Sequence, residues 1–390
     1  MSQKLSCILK LLMLPGHLLA LTKRKKKKNK SINHQRVILL GLLDAIPSLQ
    51  PNQKSSQRST RATSNADSNK FAIARAKRVE SLVSQGYLGR AANVWCQSSG
   101  LADLSSNQAI EELRKLHPSC ESQLPAPPVM ANTTPPTILD STDLTRLVKS
   151  MDTGSAPGPS GWTVRLICMT LHDEICCQGF TKLINDIIHN KLPPQAKQFL
   201  LACNLVASPK TNGGLRPIAI AEIFHRLAAK AAINSIIDLT GQIWNNIQLG
   251  INVSGGVEAA VHLIHMNLTH RHPVLNCDLA ALPIDFKNAF NEIDHAEVLK
   301  AVYANPVLSP IWPMVDFSYS SPSHLLTRDS VGKPVKTLLS QQGVRQGDPH
   351  ASFLFALTIQ PMYDLVSRQP GIEALTIHDD LTLTGKPESL

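Results

Sequence analysis

The spacing of apolar and polar positions along the chain predicts helices mixed with short strands. Apolar residues recur every three or four positions in FAIARAKRVESLVSQG and LGRAANVW, between residues 70 and 95, which is the spacing of amphipathic helices. A third helix is predicted in SSNQAIEELRKLHP, where Ser105 and Gln108 have capping-box spacing and Pro118 ends the run. Further helices are predicted near residues 163–171, 175–190, 222–238 and 255–266.

Strands are predicted where apolar runs flank turn residues. Apolar arms on either side of Asn212-Gly213-Gly214 indicate a β-hairpin over residues 204–220, and a second hairpin is expected over 324–339. LPIDF (282–286) is typical of a buried strand, and TIHDDLTLTG (376–385) places Asp379 and Asp380 between two short strands. Asp348 and Pro349 have the N-cap and N1 positions of an apolar helix that Pro361 is expected to kink.

The charge is unevenly distributed. Lys and Arg exceed Asp and Glu by 39 − 29 = 10, yet residues 1–43 hold ten basic residues and no acidic one, so the other 347 residues balance at 29 against 29. We therefore expect residues 1–68 to be a basic, mostly disordered tail. The run KRKKKKNK (23–30) is compatible with a solvated tail and equally with a nuclear-localisation or nucleic-acid-binding arm.

The rest of the chain divides by composition. Residues 69–117 are predicted to be a helical region, 118–137 a proline-rich linker and 138–390 the main domain. The apolar start LSCILKLLMLPGHLLAL contains Lys10, Pro15 and His17 and lacks a small-residue cleavage site, so no membrane segment is expected. The eight cysteines form no CxxC pair, which favours reduced, structural thiols in an intracellular protein.

Carboxylates at the ends of predicted strands are the candidate chemistry. Asp285 and Asp379 are 94 residues apart, so only the fold can bring them together. Carboxylates gathered in a partly desolvated site repel one another unless a cation neutralises them. Mg²⁺ prefers oxygen ligands, and pairs of such ions catalyse in-line phosphoryl transfer. Lys210 and Arg216, which flank the tip of the first hairpin, are candidate phosphate ligands, with a solvated surface position as the alternative.

Five segments together resemble the motifs of reverse transcriptases, and most closely those of non-LTR retrotransposons. They are GGLRPIAI (213–220), GGVEAAVH (255–262), IDFKNAFN (284–291), QQGVRQGDP (341–349) and IHDDLTLTG (377–385), and they occur in the family's order within a resemblance that spans about residues 70–390. The resemblance implies an α+β right-hand polymerase with fingers and a partial palm, in which helices pack on an antiparallel sheet. The chain stops at Leu390, so the family's thumb is expected to be absent. The implied activity is RNA-directed DNA polymerisation, with an RNA template, a DNA primer and dNTPs as partners.

The resemblance also assigns roles to individual residues. Asp285 and Asp379 would each bind both of two Mg²⁺ ions, with Mn²⁺ as the alternative metal. Asp380 would be an auxiliary third carboxylate, and the backbone carbonyl of Phe286 would complete one ion. These assignments imply a two-metal transfer of nucleotides to the primer 3′-hydroxyl.

Substrate contacts follow from the same resemblance. Phe290 matches the aromatic gate that excludes ribonucleotides, with core packing as its alternative role, and this residue disfavours an RNA-dependent RNA polymerase. Lys210 and Arg216 match contacts to the triphosphate. Gln346, Gly347 and Asp348 match the loop and helix start that support the template and the incoming nucleotide.

Three positions depart from the family pattern. Ile377 stands where an aromatic residue is usual, and His350 replaces an apolar residue with an expected loss of packing. His378 is expected to be a strand residue that faces away from the carboxylates, with metal ligation as the alternative. A second function is therefore kept, a catalytically silent, truncated remnant that at most binds nucleic acid. The expected location is nuclear or cytoplasmic, and no oligomeric state is predicted.

Overall fold

A computed structural model describes residues 3–24, isolated positions between 73 and 94, and 101–390 apart from 130–133, 211–212, 242, 245–246, 272–277 and 330–331. The helices that it describes in full are α1 (Gln3–Arg24), α2 (Asn107–Lys115), α3 (Ser141–Lys149), α4 (Val164–Thr170), α5 (Glu174–Ile188), α6 (Pro194–Leu201), α7 (Ile223–Ile236), α8 (Gly256–Met266), α9 (Ala289–Glu292), α10 (His295–Tyr303), α11 (Trp312–Tyr319) and α12 (Ala351–Ser367). The strands are β1 (Cys203–Pro209), β2 (Leu215–Ala221), β3 (Ala280–Ile284), β4 (Ser323–Arg328), β5 (Pro334–Ser340), β6 (Ile372–Ile377) and β7 (Asp380–Gly385). Short 3₁₀ turns cover Ile237–Leu239 and Pro306–Ile311, and a π turn covers Asn267–Arg271.

The strands form two sheets. The four-stranded sheet has the order β2-β1-β4-β5, in which β1 runs antiparallel to β2 and parallel to β4. The three-stranded sheet has the order β3-β7-β6, and both of its pairings are antiparallel. Helices together with sheets whose pairings are mostly antiparallel confirm the predicted α+β class.

The main core lies among the helices. Trp162 makes edge contacts with the rings of Phe180 on α5 and Phe224 on α7, with centroids 5.6 and 5.7 Å apart. Phe317 on α11 and Leu354 on α12 are fully buried in the same cluster. Each such side chain contributes roughly 1.5–3 kcal/mol of hydrophobic stabilisation. Smaller clusters lie against the two sheets.

Helix α1 corrects the predicted disorder at the start of the chain. Leu5, Ile8 and Leu14 are buried in the main core, and the indole nitrogen of Trp162 donates a 2.8 Å hydrogen bond to the carbonyl of Leu11. That carbonyl lacks its usual intrahelical donor because Pro15, four residues later, has no N–H. The expectation of disorder over 1–68 is therefore wrong for residues 3–24, since an apolar helix face outweighs the basic composition. Residues 25–68, with most of the basic run, lie outside the described part.

Among the described residues, no helix combines the length and the apolar character that a membrane span requires. The six cysteines in the described part of the chain carry free thiols. Cys96 and Cys277 lie outside it.

Most predicted elements are confirmed, including the two hairpins (β1–β2 and β4–β5) and helices α4, α5, α7 and α8. The N-cap of α2 is Ser106, whose hydroxyl accepts from the N–H of Ala109 at 3.2 Å, because Ser105 instead bonds to Asp103. The strand at LPIDF exists as β3, but its burial was predicted wrongly. It is an edge strand whose side chains are mostly exposed.

Candidate active site

The two predicted carboxylate segments meet at one end of the three-stranded sheet. Ile284, the last residue of β3, pairs with Leu381 of β7, so the next residue, Asp285, lies beside Asp380. The β6–β7 hairpin closes with Ile377 opposite Asp380, which places Asp379 in the two-residue turn. Asp285, Asp379 and Asp380 therefore lie at the same end of this sheet.

The turn of this hairpin has an unusual backbone conformation. His378 has φ +56°, in the left-handed region, which costs a non-glycine residue about 1–2 kcal/mol. Two-residue hairpin turns favour positive φ because their twist then matches that of the strands. The prediction that His378 is a strand residue is therefore wrong.

Two side chains from elsewhere in the chain hold the turn. The hydroxyl of Tyr363 on α12 donates to the carbonyl of His378 at 3.0 Å. The Gln248 side-chain oxygen accepts from the backbone N–H groups of His378 and Gly250, both at 2.9 Å, and its amide donates to the His378 carbonyl at 3.4 Å. The sequence contains no local signal for these partners, since Gln248 lies 130 residues from His378.

Burial and the neighbouring carboxylates shift the pKa values of the ionisable groups at the turn. Burial raises the pKa of Asp379, and the neighbouring charges of Asp380 and Asp285 raise it further. Burial, followed by the charges of Asp379 and Asp380, also raises the pKa of Tyr363, so its hydroxyl keeps the proton that it donates. Burial lowers the pKa of His378, and the two aspartates oppose that change.

The donor set fits a hard divalent cation. The three carboxylates supply only oxygen ligands. The raised pKa of Asp379 means that its ionised form is disfavoured, and a bound cation would stabilise that form. Asp285 and Asp380 are exposed, and Phe286 packs half-buried against the small core under the sheet. Among the described residues, the group of three whose ligand atoms all lie within 4.8 Å of one another is a different one, formed by His225, Asp348 and His350. The three aspartates therefore form an open site.

The loop between β5 and α12 connects the carboxylates to the first hairpin. The N–H of Val344 donates to the carbonyl of Phe290 at 2.7 Å, on α9, five residues after Asp285. The N–H of Ala219 on β2 donates to the carbonyl of Gln346 at 3.1 Å. Gly347 has φ +107°, and a Cβ there would lie 2.9 Å from the carbonyl oxygen of Ala219, so only glycine fits.

Phe290 lies on α9 and is half-buried. Its ring stacks on that of Phe355 from α12, with centroids 4.7 Å apart and planes 8° from parallel. This contact fixes the ring, while its partial exposure leaves part of it open toward solvent. Both the gate and the packing role are compatible with this position.

Asp348 is not the cap of α12. The helix begins at Ala351 with His350 as its N-cap and without a side-chain capping bond. The Asp348 carboxylate is fully buried and instead contacts Arg345 Nε at 3.0 Å and His225 Nδ1 at 3.1 Å. Burial would raise the pKa of Asp348, but His225, Arg345 and His350 hold it well below its usual range. Asp348 can thus act on a substrate only through the loop that it holds.

His350 does not leave the packing defect that was expected. It is 2% exposed, and its ring contacts those of His225 and Tyr319 at centroid distances of 5.7 and 5.5 Å. Burial lowers its pKa to about 3, so the ring is neutral. His225 was missed by sequence reasoning because nothing near it in the chain suggests a buried partner.

Lys210 and Arg216 lie at the tip of the first hairpin, as predicted. The N–H of Lys210 donates to the Gly214 carbonyl at 2.6 Å, and Arg216 pairs with Ser208 in the strand register. Both basic side chains are exposed, and Asn212 lies outside the described residues. The tip therefore presents two cations that can rotate toward a bound anion.

Comparisons with known proteins agree with these motifs. The family model described as "Reverse transcriptase (RNA-dependent DNA polymerase)" matches residues 208–389. A curated protein, the "Retrotransposable element SLACS 132 kDa protein" of Trypanosoma brucei gambiense, is 28% identical over 245 residues, which is 63% of this chain. The match covers 20% of the trypanosome protein, so the chain spans about a fifth of that relative.

Proposed function

Because residues 208–389 form a reverse transcriptase domain of the retrotransposon type, we propose that this chain joins deoxynucleotides to a DNA primer on an RNA template. The observation that carries the proposal is the meeting of Asp285 with Asp379 and Asp380 at one end of the β3-β7-β6 sheet. Shared carboxylates at an open, partly desolvated edge are what metal-dependent nucleotidyl transfer requires.

Asp285 and Asp379 would hold two Mg²⁺ ions, or Mn²⁺ in their place, with Asp380 as auxiliary ligand and the Phe286 carbonyl as a further oxygen. When bound, the ions would activate the primer 3′-hydroxyl and stabilise the leaving oxygen of the triphosphate. Burial, followed by the charges of Asp380 and Asp285, raises the pKa of Asp379, and a bound cation would offset both effects, which supports this role. Gln248 and Tyr363 orient the turn so that Asp379 keeps its position through the reaction.

Lys210 and Arg216 would bind the triphosphate. The guanidinium of Arg216 can form paired hydrogen bonds with phosphate oxygens, whereas Lys210 acts as a mobile point charge. Phe290 would exclude a 2′-hydroxyl, since its ring is held against Phe355 and cannot retreat. Gln346 and Gly347 would position template and nucleotide. Asp348 would hold their loop in place through its buried contacts with His225 and Arg345.

Primer extension with Asp285→Ala and Asp379→Ala tests the proposal. Either change should reduce incorporation on an RNA template by at least about a hundredfold, because positioned charge supplies most of such catalysis. Asp238→Ala is the matched control, since it removes an exposed carboxylate from the 3₁₀ turn after α7. Wild-type extension in both site variants would refute the proposal.

The alternative is nucleic-acid binding without catalysis, and the concentration of ten basic residues in 1–43 favours it. In that case deletion of residues 1–43 would remove nearly all affinity, together with the salt dependence that phosphate contacts produce. If affinity survives the deletion and still falls steeply as the salt concentration rises, the residues after position 43 bind the template.

A further inference from the structure

A second group of metal-ligating side chains lies in the core, away from the carboxylate edge. It consists of His225 on α7, Asp348 in the loop before α12, and His350 at the start of α12. All three are buried, and one ligand atom from each lies within 4.8 Å of the others. Neither the family resemblance nor the proposed polymerase reaction uses this group as a site.

The hydrogen bonds of His225 determine which of its nitrogens is free. The Ser318 hydroxyl donates to the Met314 carbonyl at 2.9 Å, so its oxygen is left to accept from His225 Nε2 at 3.0 Å. A His225 ring with its proton on Nε2 directs the Nδ1 lone pair at Asp348 Oδ1, 3.1 Å away. Two electron-rich atoms at this distance need a cation between them.

The other carboxylate oxygen is already occupied. Arg345 Nε donates to Asp348 Oδ2 at 3.0 Å, and the Tyr319 hydroxyl approaches the same oxygen at 3.4 Å. These contacts fix the carboxylate so that Oδ1 remains directed at His225. Oδ1 has no hydrogen-bond donor among the described groups, and neither has His225 Nδ1.

His350 distinguishes a proton from a metal ion. A proton shared by His225 and Asp348 would satisfy that pair, but both ring nitrogens of the buried His350 would still lack a partner. Unpaired buried polar groups are costly and rare. An ion bound by His225 Nδ1, Asp348 Oδ1 and one His350 nitrogen would give a partner to three of these four atoms, whereas a proton would serve only the first two.

The chemistry of the set points to zinc or a similar ion. Two neutral imidazoles and one carboxylate are common zinc ligands, each at about 2.0–2.2 Å from the metal. Two ligands at that distance and about 95–110° apart are separated by about 3.0–3.4 Å, which includes the 3.1 Å between His225 and Asp348. We propose that His225, Asp348 and His350 bind one divalent transition metal ion, zinc in preference, which ties the Gln346–Gly347 loop and the start of α12 to α7.

Metal content of the purified full chain tests this assignment. Protein expressed with added zinc and passed through gel filtration should contain about one zinc per chain by elemental mass spectrometry. His350→Leu should lower that content to about a tenth or less, whereas His350→Cys restores a zinc ligand and should retain it. The control His172→Gln removes an exposed histidine and should change nothing.

A second readout covers the case in which His350→Leu fails to fold. Cobalt added to the metal-stripped wild-type chain should give the visible absorption of a site with imidazole ligands, and added zinc should abolish it. A wild-type chain without bound transition metal or cobalt absorption would overturn the proposal. It would mean that the charge of Arg345 excludes the ion and that a proton joins His225 to Asp348. Equal metal content in wild type and His350→Leu would overturn it as well.

Discussion

The hydroxyl of Tyr363 is expected to matter for metal binding although it lies outside the carboxylate set. Tyr363→Phe removes the donor that lies 3.0 Å from the His378 carbonyl and leaves only the longer 3.4 Å contact from Gln248. A buried carbonyl that loses its donor costs about 1–3 kcal/mol. This is similar to the cost of about 1–2 kcal/mol for a non-glycine residue at positive φ. The turn that carries Asp379 should therefore relax.

The effect of Tyr363→Phe can be compared with that of the same substitution at a second buried tyrosine. Tyr303 is also buried, and its hydroxyl contacts Asp316 at 3.4 Å within the helical core. Both Tyr303→Phe and Tyr363→Phe should lower the melting temperature by a few degrees. Only Tyr363→Phe should also raise the half-saturating Mg²⁺ concentration or reduce the extension rate, by about 10- to 100-fold, as loss of a ligand-orienting contact does.

The assay is primer extension across a Mg²⁺ titration, together with Mg²⁺-dependent melting curves that do not require turnover. Adding His378→Gly to Tyr363→Phe should recover most of the loss, because glycine adopts positive φ without strain. Equal Mg²⁺ dependence in the two Phe variants would refute the reasoning. Failure of His378→Gly to restore it would show that the turn does not control the site.

Three further outcomes are expected. The folded-state pKa of Asp379 is raised above its unfolded value, so its ionisation costs stability as the pH rises through that range. Without metal, Asp379→Asn should match wild type below about pH 4 and exceed its melting temperature near neutrality. Equal melting temperatures at both pH values, measured in chelator, would contradict this expectation. Gly343→Ala should destabilise the chain by at least about 1–3 kcal/mol, because φ is +82° and a Cβ would lie 2.5 Å from the α9 backbone. The control Gly179→Ala, in open space on α5, should stabilise it slightly in denaturant titrations. Leu14→Ala should cost about 2–5 kcal/mol because the side chain is fully buried, whereas the exposed Cys7→Ala should be nearly neutral, and equal melting temperatures would mean that α1 does not dock.

Much of this molecule follows from its sequence. Helices α4, α5, α7 and α8 and the two hairpins were predicted from periodicity and turn residues, because both depend on neighbours a few positions away. The five ordered motifs indicated the resemblance to reverse transcriptases, which the family model matches over residues 208–389, and they pointed to Asp285, Asp379 and Asp380 as a set. The position of the double aspartate between two strands was likewise readable from the alternation around it.

The tertiary structure decided which partner each polar group has. Asp348 had a local role available as a helix cap, yet its carboxylate is buried between Arg345, which donates to it, and His225, which lies 123 residues earlier. A buried carboxylate is stabilised most by a cationic donor such as Arg345. The support of His378 by Gln248 and Tyr363 and the docking of α1 on Trp162 have the same origin. Local pattern specifies the elements, whereas contacts between distant segments depend on the path of the whole chain, which periodicity does not encode.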